Sequence, residues 1–210
     1  MKNYYNINGF YSPLKLFSID QAKLYRKNLE TSESKIGPLH YFAKTYTMMK
    51  WVYDIAINKT MLNFVEDIIG KNILLYNATF IIKEAKSKTH VSWHQDLTYW
   101  GFNNNEKQVS AWIALSNTND LSGCMKMIPG SHKKGIFKHQ STNDSNNVLS
   151  RGQTVTNVDI DKSISCPLYP GEASFHHGLT LHASQPNNSN DRRIGLNLQF
   201  ITTDMKQLKS

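Results

Sequence analysis

The run Trp93-His94-Gln95-Asp96 sets an imidazole and a carboxylate two positions apart. Along an extended segment alternate side chains share a face, so His94 and Asp96 would point together. His182, far along the chain, can add a second imidazole. Two imidazoles and one carboxylate with positions left open form the ligand set of non-haem Fe(II) oxygenases. Taken alone, the H-x-D triplet has a plainer reading in a chain of eight histidines: a strand end with one solvated carboxylate and one hydrogen-bonded imidazole. His176 and His177 compete with His182 for the third position. As neighbours on a strand they face opposite ways, so at most one points inward, and both are read as hydrogen-bonded core or rim histidines.

Arg193 matters for a different reason. It lies on the polar face of a strand whose other face is apolar, and a buried guanidinium needs an anion, best a carboxylate held bidentately. An ordinary ion pair at a strand start is the alternative. Arg192, on the face of Ile194 and Leu196, is read as solvated at the strand edge. The same alternation turns Trp112 and Ser110 toward a pocket and groups Asn77 with Thr79.

These side chains need a scaffold. Ser18-Ile19-Asp20-Gln21 begins a helix with a capping-box pattern. Apolar spacing predicts a second helix from Ala43 to Ile57 and a third from Lys59 to Ile69, stopped at Gly70. From Ile73 the period changes to two. Strands are predicted over Ile73–Lys83, Gln108–Ser116 and Arg192–Thr202, with shorter ones at Cys124–Ile128 and Glu172–His176. Residues 1–70 thus read as a helical part and 71–203 as a β core of one domain, an α+β arrangement with a sandwich or barrel. The polar stretch Lys138–Lys162 has little periodicity and is expected to be a lid. Pro129-Gly130-Ser131-His132 reads as a structural turn.

Composition narrows the class. At 210 residues, 40% hydrophobic and 19% charged, the chain is long enough for one well-buried core. No apolar run approaches the ~20 residues a membrane span needs, and Met1-Lys2-Asn3-Tyr4-Tyr5 lacks a secretory apolar stretch. Two cysteines, Cys124 and Cys166, make no disulfide framework, so a reducing cytoplasm is expected. The net charge of +8 raises nucleic acid as a partner. It is argued against because the positive charge is mostly scattered lysine, with arginine only at 26, 151, 192 and 193, and arginine does most bidentate base and phosphate recognition.

The ordered motifs resemble the phytanoyl-CoA dioxygenase family, the Fe(II)/2-oxoglutarate oxygenases that include ectoine hydroxylase and some carrier-protein-dependent halogenases. They are Trp93-His94-Gln95-Asp96, Trp112-Ile113-Ala114-Leu115, Gly123-Cys124-Met125, Pro129-Gly130-Ser131-His132, Pro170-Gly171-Glu172 through His176, and His182-Ala183-Ser184 through Arg192-Arg193. The resemblance implies a double-stranded β-helix, a cupin-like jelly roll, with N-terminal helices packed on the major sheet. It implies Fe(II) on His94, Asp96 and His182. It implies 2-oxoglutarate held by Arg193 with support from Ser184 and Trp112; Asn77 is added from its pocket-facing parity. O2 would be the oxidant and a small molecule, free or thioester-tethered, the substrate. Because Asp96 stands where halogenating relatives carry a small residue, hydroxylation is favoured over halogenation. A non-enzymatic metal-binding jelly roll and a zinc or manganese hydrolase stay open. The chain stops ten residues after Phe200, where many such relatives continue, so a reduced substrate pocket, or one completed by another subunit, is expected.

Overall fold

Three long stretches of alternating residues build the larger sheet. β2 (Ile73–Lys83), β4 (Gln108–Ala114) and β11 (Arg193–Thr202) are joined by β9 (Glu172–His176) and β1 (Phe10–Lys15) in the antiparallel order β1-β9-β4-β11-β2. A smaller antiparallel sheet has the order β3-β10-β5-β8, from Val91–His94, His182–Ser184, Met125–Met127 and Ile164–Cys166. The two sheets form the double-stranded β-helix. The structure, a computed structural model, describes residues 1–103, 106–149 and 152–208.

One face of the larger sheet is the main core. Phe80 and Ile82 of β2, Val109 and Ile113 of β4, Phe175 of β9, and Ile194, Leu196 and Leu198 of β11 are buried there. Helices cover that face: α2 (Ile19–Ile36) contributes Leu29, α3 (Lys50–Ala56) Val52 and Ile55, and α4 (Lys59–Ile69) Met61, Phe64 and Val65. Burying this many aliphatic and aromatic side chains, each stabilising by roughly 1.5–3 kcal/mol, fixes the register of every strand. A one-residue slip would turn the apolar set inward to the barrel.

The helix starts follow local chemistry. Ser18 Oγ accepts from the Gln21 backbone N–H at 3.2 Å, one half of the expected capping box; the Gln21 side chain turns to Tyr25 instead. Asn58 caps α4 by accepting from Met61 N–H. Gly70 ends that helix at φ 89°, in the left-handed region that glycine tolerates.

Residues 1–70 are less helical than their composition suggests. A short helix, α1 (Lys2–Asn8), leads into β1, which pairs with β9 at the sheet edge. The expected helix Ala43–Ile57 is helical only from Lys50, after a 3-10 turn at Thr45–Thr47. Residues 40–45 instead strap the outer edge of β2. Tyr41 N–H donates to Phe80 O, His40 Nδ1 accepts from Ile82 N–H, and Thr45 Oγ1 donates to Ala78 O. An edge strand exposes unpaired backbone groups, and satisfying them outweighs helix propensity here.

Lys138–Lys162 is likewise not featureless. It holds a hairpin of β6 (His139–Ser141) and β7 (Gln153–Val155). Ser150 and Arg151 within it lie outside the described residues. A four-residue helix, α5 (Leu97–Trp100), follows β3. Among the described residues no helix is long and apolar enough to cross a membrane. Arg192, read from sequence as solvated, is instead an ion-pair hub: it donates to Glu33 of α2 at 2.9 Å and to Glu84 at 3.0 Å.

Candidate active site

His94 closes β3 and His182 opens β10, and the two are register partners on adjacent strands. Side chains opposite each other on one face must meet, and the imidazole centroids lie 4.1 Å apart. Asp96 arrives by a different route from the one its spacing suggests. The strand stops at His94, and Asp96 adopts a helical conformation (φ −58°, ψ −41°) at the start of α5. It still faces the histidines: Oδ1 is 3.4 Å from His94 Nε2 and 3.7 Å from His182 Nε2. One ligand atom from each of the three lies within 4.8 Å of the others.

The backbone selects the tautomers. Nδ1 of His94 is 2.9 Å from Ser92 O, and Nδ1 of His182 is 2.9 Å from Thr180 O. A carbonyl only accepts, so each Nδ1 carries the proton and each Nε2 offers a lone pair toward Asp96. Burial, with His94 and His176 close by, holds His182 well below the ordinary imidazole range, so it stays neutral. Burial by itself would raise the Asp96 carboxyl; the hydrogen bond from His176, with the His94 and His182 imidazoles close by, outweighs this and holds it well below the usual carboxylate range. Asp96 Oδ2 accepts from Ser110 Oγ at 3.1 Å and faces His176 Nε2 at 3.2 Å, which turns Oδ1 to the histidines. Two imidazole nitrogens and one ionised oxygen fit a divalent iron with coordination positions to spare. Of the adjacent pair, His176 does point inward, orienting Asp96. His177 points away and accepts from Leu179 N–H.

Deeper in the barrel lies a cationic pocket. Arg193 is 1% exposed, with Nε and Nη1 unpartnered. Its guanidinium carbon sits 4.5 Å over the centroid of the Trp112 ring, a favourable cation–π contact. Burial pushes its pKa down to about 10. The Trp112 ring in turn lies flat on Gly195: a Cβ there would come within 1.8 Å of the indole. Ser184 Oγ accepts from Lys83 Nζ at 2.7 Å. Asn77 lines the same cavity, but Oδ1 accepts from Lys44 N–H and Nδ2 donates to Thr79 Oγ1. It builds the wall, and Thr79 shares its face as alternation requires.

The enclosing cavity is about 480 Å³, and it contains His94, Asp96, His182, Ser184, Trp112 and Arg193 together. Sequence reasoning missed several residues around it. Lys83 has the same strand parity as Asn77 and Thr79, a signal that was present. Tyr76 faces the cavity beside Asn77 because a bulge in β2 skips it between the pairs Leu75↔Phe200 and Asn77↔Gln199; two consecutive residues then share a side. Val148 and Leu149 of the expected lid line the cavity. Pro129–His132 is structural as read: Ser131 Oγ donates to Ile128 O and accepts from Leu181 N–H.

A double-stranded β-helix holding two histidines and an aspartate near one end, with a buried arginine behind them, has the fold and ligand set that define the non-haem iron oxygenases. The family model for phytanoyl-CoA dioxygenase matches residues 16–195, and the chain belongs to that family. It is 29% identical over 151 residues to a probable alpha-ketoglutarate-dependent hypophosphite dioxygenase of Stutzerimonas stutzeri, covering 70% of this chain and 51% of that protein. It is 26% identical over 196 residues to the human peroxisomal phytanoyl-CoA dioxygenase, covering 91% of this chain and 57% of that one. The chain thus spans about half the length of these curated relatives. In fold it matches the non-heme monooxygenase ThoJ with a TM-score of 0.87 at 24% identity, over 98% of this chain and 78% of that one. It also matches EvdO2 of Micromonospora carbonacea var. aurantiaca, solved with 2-oxoglutarate, at TM-score 0.78 and 19% identity, over 100% and 92% of the two chains.

Proposed function

We propose that this chain is an Fe(II)- and 2-oxoglutarate-dependent dioxygenase that hydroxylates an unactivated C–H bond of a small molecule, with release of succinate and CO2. The observation that carries this reading is one cavity holding both a convergent His94–Asp96–His182 set and an unpartnered buried Arg193. His94, Asp96 and His182 would hold the iron, and Arg193 with Ser184 would hold the far carboxylate of 2-oxoglutarate. When bound, iron, 2-oxoglutarate and O2 supply the oxidising chemistry; the chain supplies position and dryness.

Each residue's part follows from its surroundings. Ser110 and His176 orient Asp96 through Oδ2, and the Ser92 and Thr180 carbonyls orient the two imidazoles. Trp112 forms a flat floor for the Arg193 guanidinium. The rest of the cavity wall is neutral: among the described residues Asp96 and Arg193 are its only charged members, beside Tyr76, Trp100, Val148, Leu149 and Asn197. That supports a substrate whose reacting portion is uncharged and partly apolar. The carboxylate kept at Asp96 supports hydroxylation over halogenation. Cys124 and Cys166 are free and buried, which supports the reducing, cytoplasmic setting proposed for the chain.

Anaerobic titration with Fe(II) and then 2-oxoglutarate tests the reading. Wild type is expected to develop a metal-to-ligand charge-transfer band that Asp96→Ala loses. Absence of the band in wild type overturns the cofactor assignment. A substrate screen read by succinate release then identifies the molecule hydroxylated.

A further inference from the structure

Lys83 is the largest feature of the cavity's surroundings that the proposed reaction leaves unused. It ends β2 as the register partner of Arg193 on β11, so the two side chains leave the larger sheet side by side on its inner face. Lys83 is 1% exposed and crosses to the smaller sheet, where Nζ donates to Ser184 Oγ at 2.7 Å, to Ser184 O at 3.2 Å and to Gln185 O. When charged, the amine has three donors, and these three contacts take all of them. Among the described residues no carboxylate pairs with Lys83 or with Arg193, so two neighbouring basic groups are buried without an anion, and an anion that binds beside them favours the charged form of the Lys83 amine. Burying charge in that way is costly unless something compensates it.

The Ser184 hydroxyl carries the consequence. A serine hydroxyl has one proton to give and lone pairs to accept with. When the Lys83 ammonium donates to Ser184 Oγ, the hydroxyl proton turns away from Lys83, toward the cavity that Ser184 shares with Arg193. We infer that Lys83 is a positioning residue for the cosubstrate: it sets Ser184 as a donor beside Arg193 and adds a second positive charge, selecting a 2-oxo acid that bears a distal carboxylate. Charge-assisted hydrogen bonds are about twice as strong as neutral ones, so the selection acts on the dicarboxylate and leaves the 2-oxo acid end untouched.

The inference rests on the 2-oxoglutarate reading, and the test separates the two. Calorimetric dissociation constants are measured for the iron-loaded protein without oxygen, with 2-oxoglutarate and with 2-oxopentanoate, which has the same carbon chain and no distal carboxylate. Lys83→Met is expected to weaken 2-oxoglutarate about tenfold or more and to leave 2-oxopentanoate within about twofold. Ser184→Ala should weaken 2-oxoglutarate selectively too. The double variant should lose less than the product of the single losses, because Lys83 acts through Ser184. Should Lys83→Met not fold, Lys83→Gln, which keeps N–H donors but no charge, is expected to show the same selective loss. Equal loss for both ligands, or no loss for 2-oxoglutarate, overturns the role of Lys83 while sparing the cosubstrate assignment. Failure of wild type to bind 2-oxoglutarate overturns both.

Discussion

Arg192 and Arg193 are consecutive, the last residue before β11 and its first, but the fold treats them as different chemical objects. Arg192 turns outward, where Glu33 and Glu84 accept from it, beside a second clamp in which Arg26 donates to Asp191 at 2.6 and 2.7 Å. These pairs tie α2 and the residue after β2 to the turn that precedes β11. Arg193 turns inward, 1% exposed, with a Trp112 ring beneath it and two unpartnered nitrogens. The outer arginine is balanced by the protein itself. The inner one is left for something that binds, and a ligand that completes it stabilises the folded state by mass action. The pair shows where this chain serves stability and where it gives some up for function.

The contrast breaks most visibly at Arg193. Replacing it by Met should weaken 2-oxoglutarate binding by about 100-fold or more, in line with the ~2–5 kcal/mol lost when one partner of a buried charged pair is removed. The melting temperature of the ligand-free protein should not fall, because an uncompensated buried charge goes with it. Calorimetry and thermal melts decide this, and a large drop in melting temperature would make Arg193 a structural residue like its neighbour. Gly195→Ala comes next. Its Cβ would press into the Trp112 ring, so about 1–3 kcal/mol of stability and much of the 2-oxoglutarate affinity should be lost together, as read by urea unfolding and by binding. Arg192→Met should show the reverse of Arg193→Met. The side chain is partly exposed and the salt bridges are worth little individually, so a fall of about 2–4 °C for ~1 kcal/mol is expected, shrinking in high salt, with 2-oxoglutarate affinity within about twofold.

The smallest effect sharpens the inner half of the comparison. Burial and Arg193 push Lys83 down to about 6, with Cys124 and His40 the other titratable groups that interact with it. An unfolded lysine titrates near ~10.4, so between these values the unfolded chain holds the extra proton. Stability of the ligand-free protein should therefore rise as pH increases from about 6 to about 9. The slope should flatten in Lys83→Met and in the presence of 2-oxoglutarate, which favours the charged amine. Thermal melts across that range check the sign.

Much of the site was legible from period-two spacing. The parity that put Ile194, Leu196 and Leu198 on one face put Arg193 on the other, and the same rule gathered Trp112, Ser110, Asn77 and Thr79 around a cavity. Lys83 obeys that parity too, but a lysine at a strand end is ordinarily exposed, so alternation alone does not mark it as part of the site. Other features left no local trace. The bulge that turns Tyr76 inward, the strap of residues 40–45 and the pairing of β1 with β9 each answer backbone groups supplied by distant parts of the chain. The resemblance named the iron ligands; alternation alone misjudged Asp96, which reaches its place through a helical turn.

By itself, then, the sequence determined which residue types could meet and on which faces, because side-chain alternation is a local property of an extended backbone. It also held, in ordered motifs, enough to mark the family. Tertiary structure decided which polar groups are satisfied. Only the folded barrel shows that Nδ1 of each histidine is spent on a carbonyl, that Asp96 is turned by Ser110 and His176, and that Arg192 is paired while Arg193 is not. Satisfaction depends on partners a hundred residues away and on the exclusion of water, and neither is written in the neighbours of any one residue.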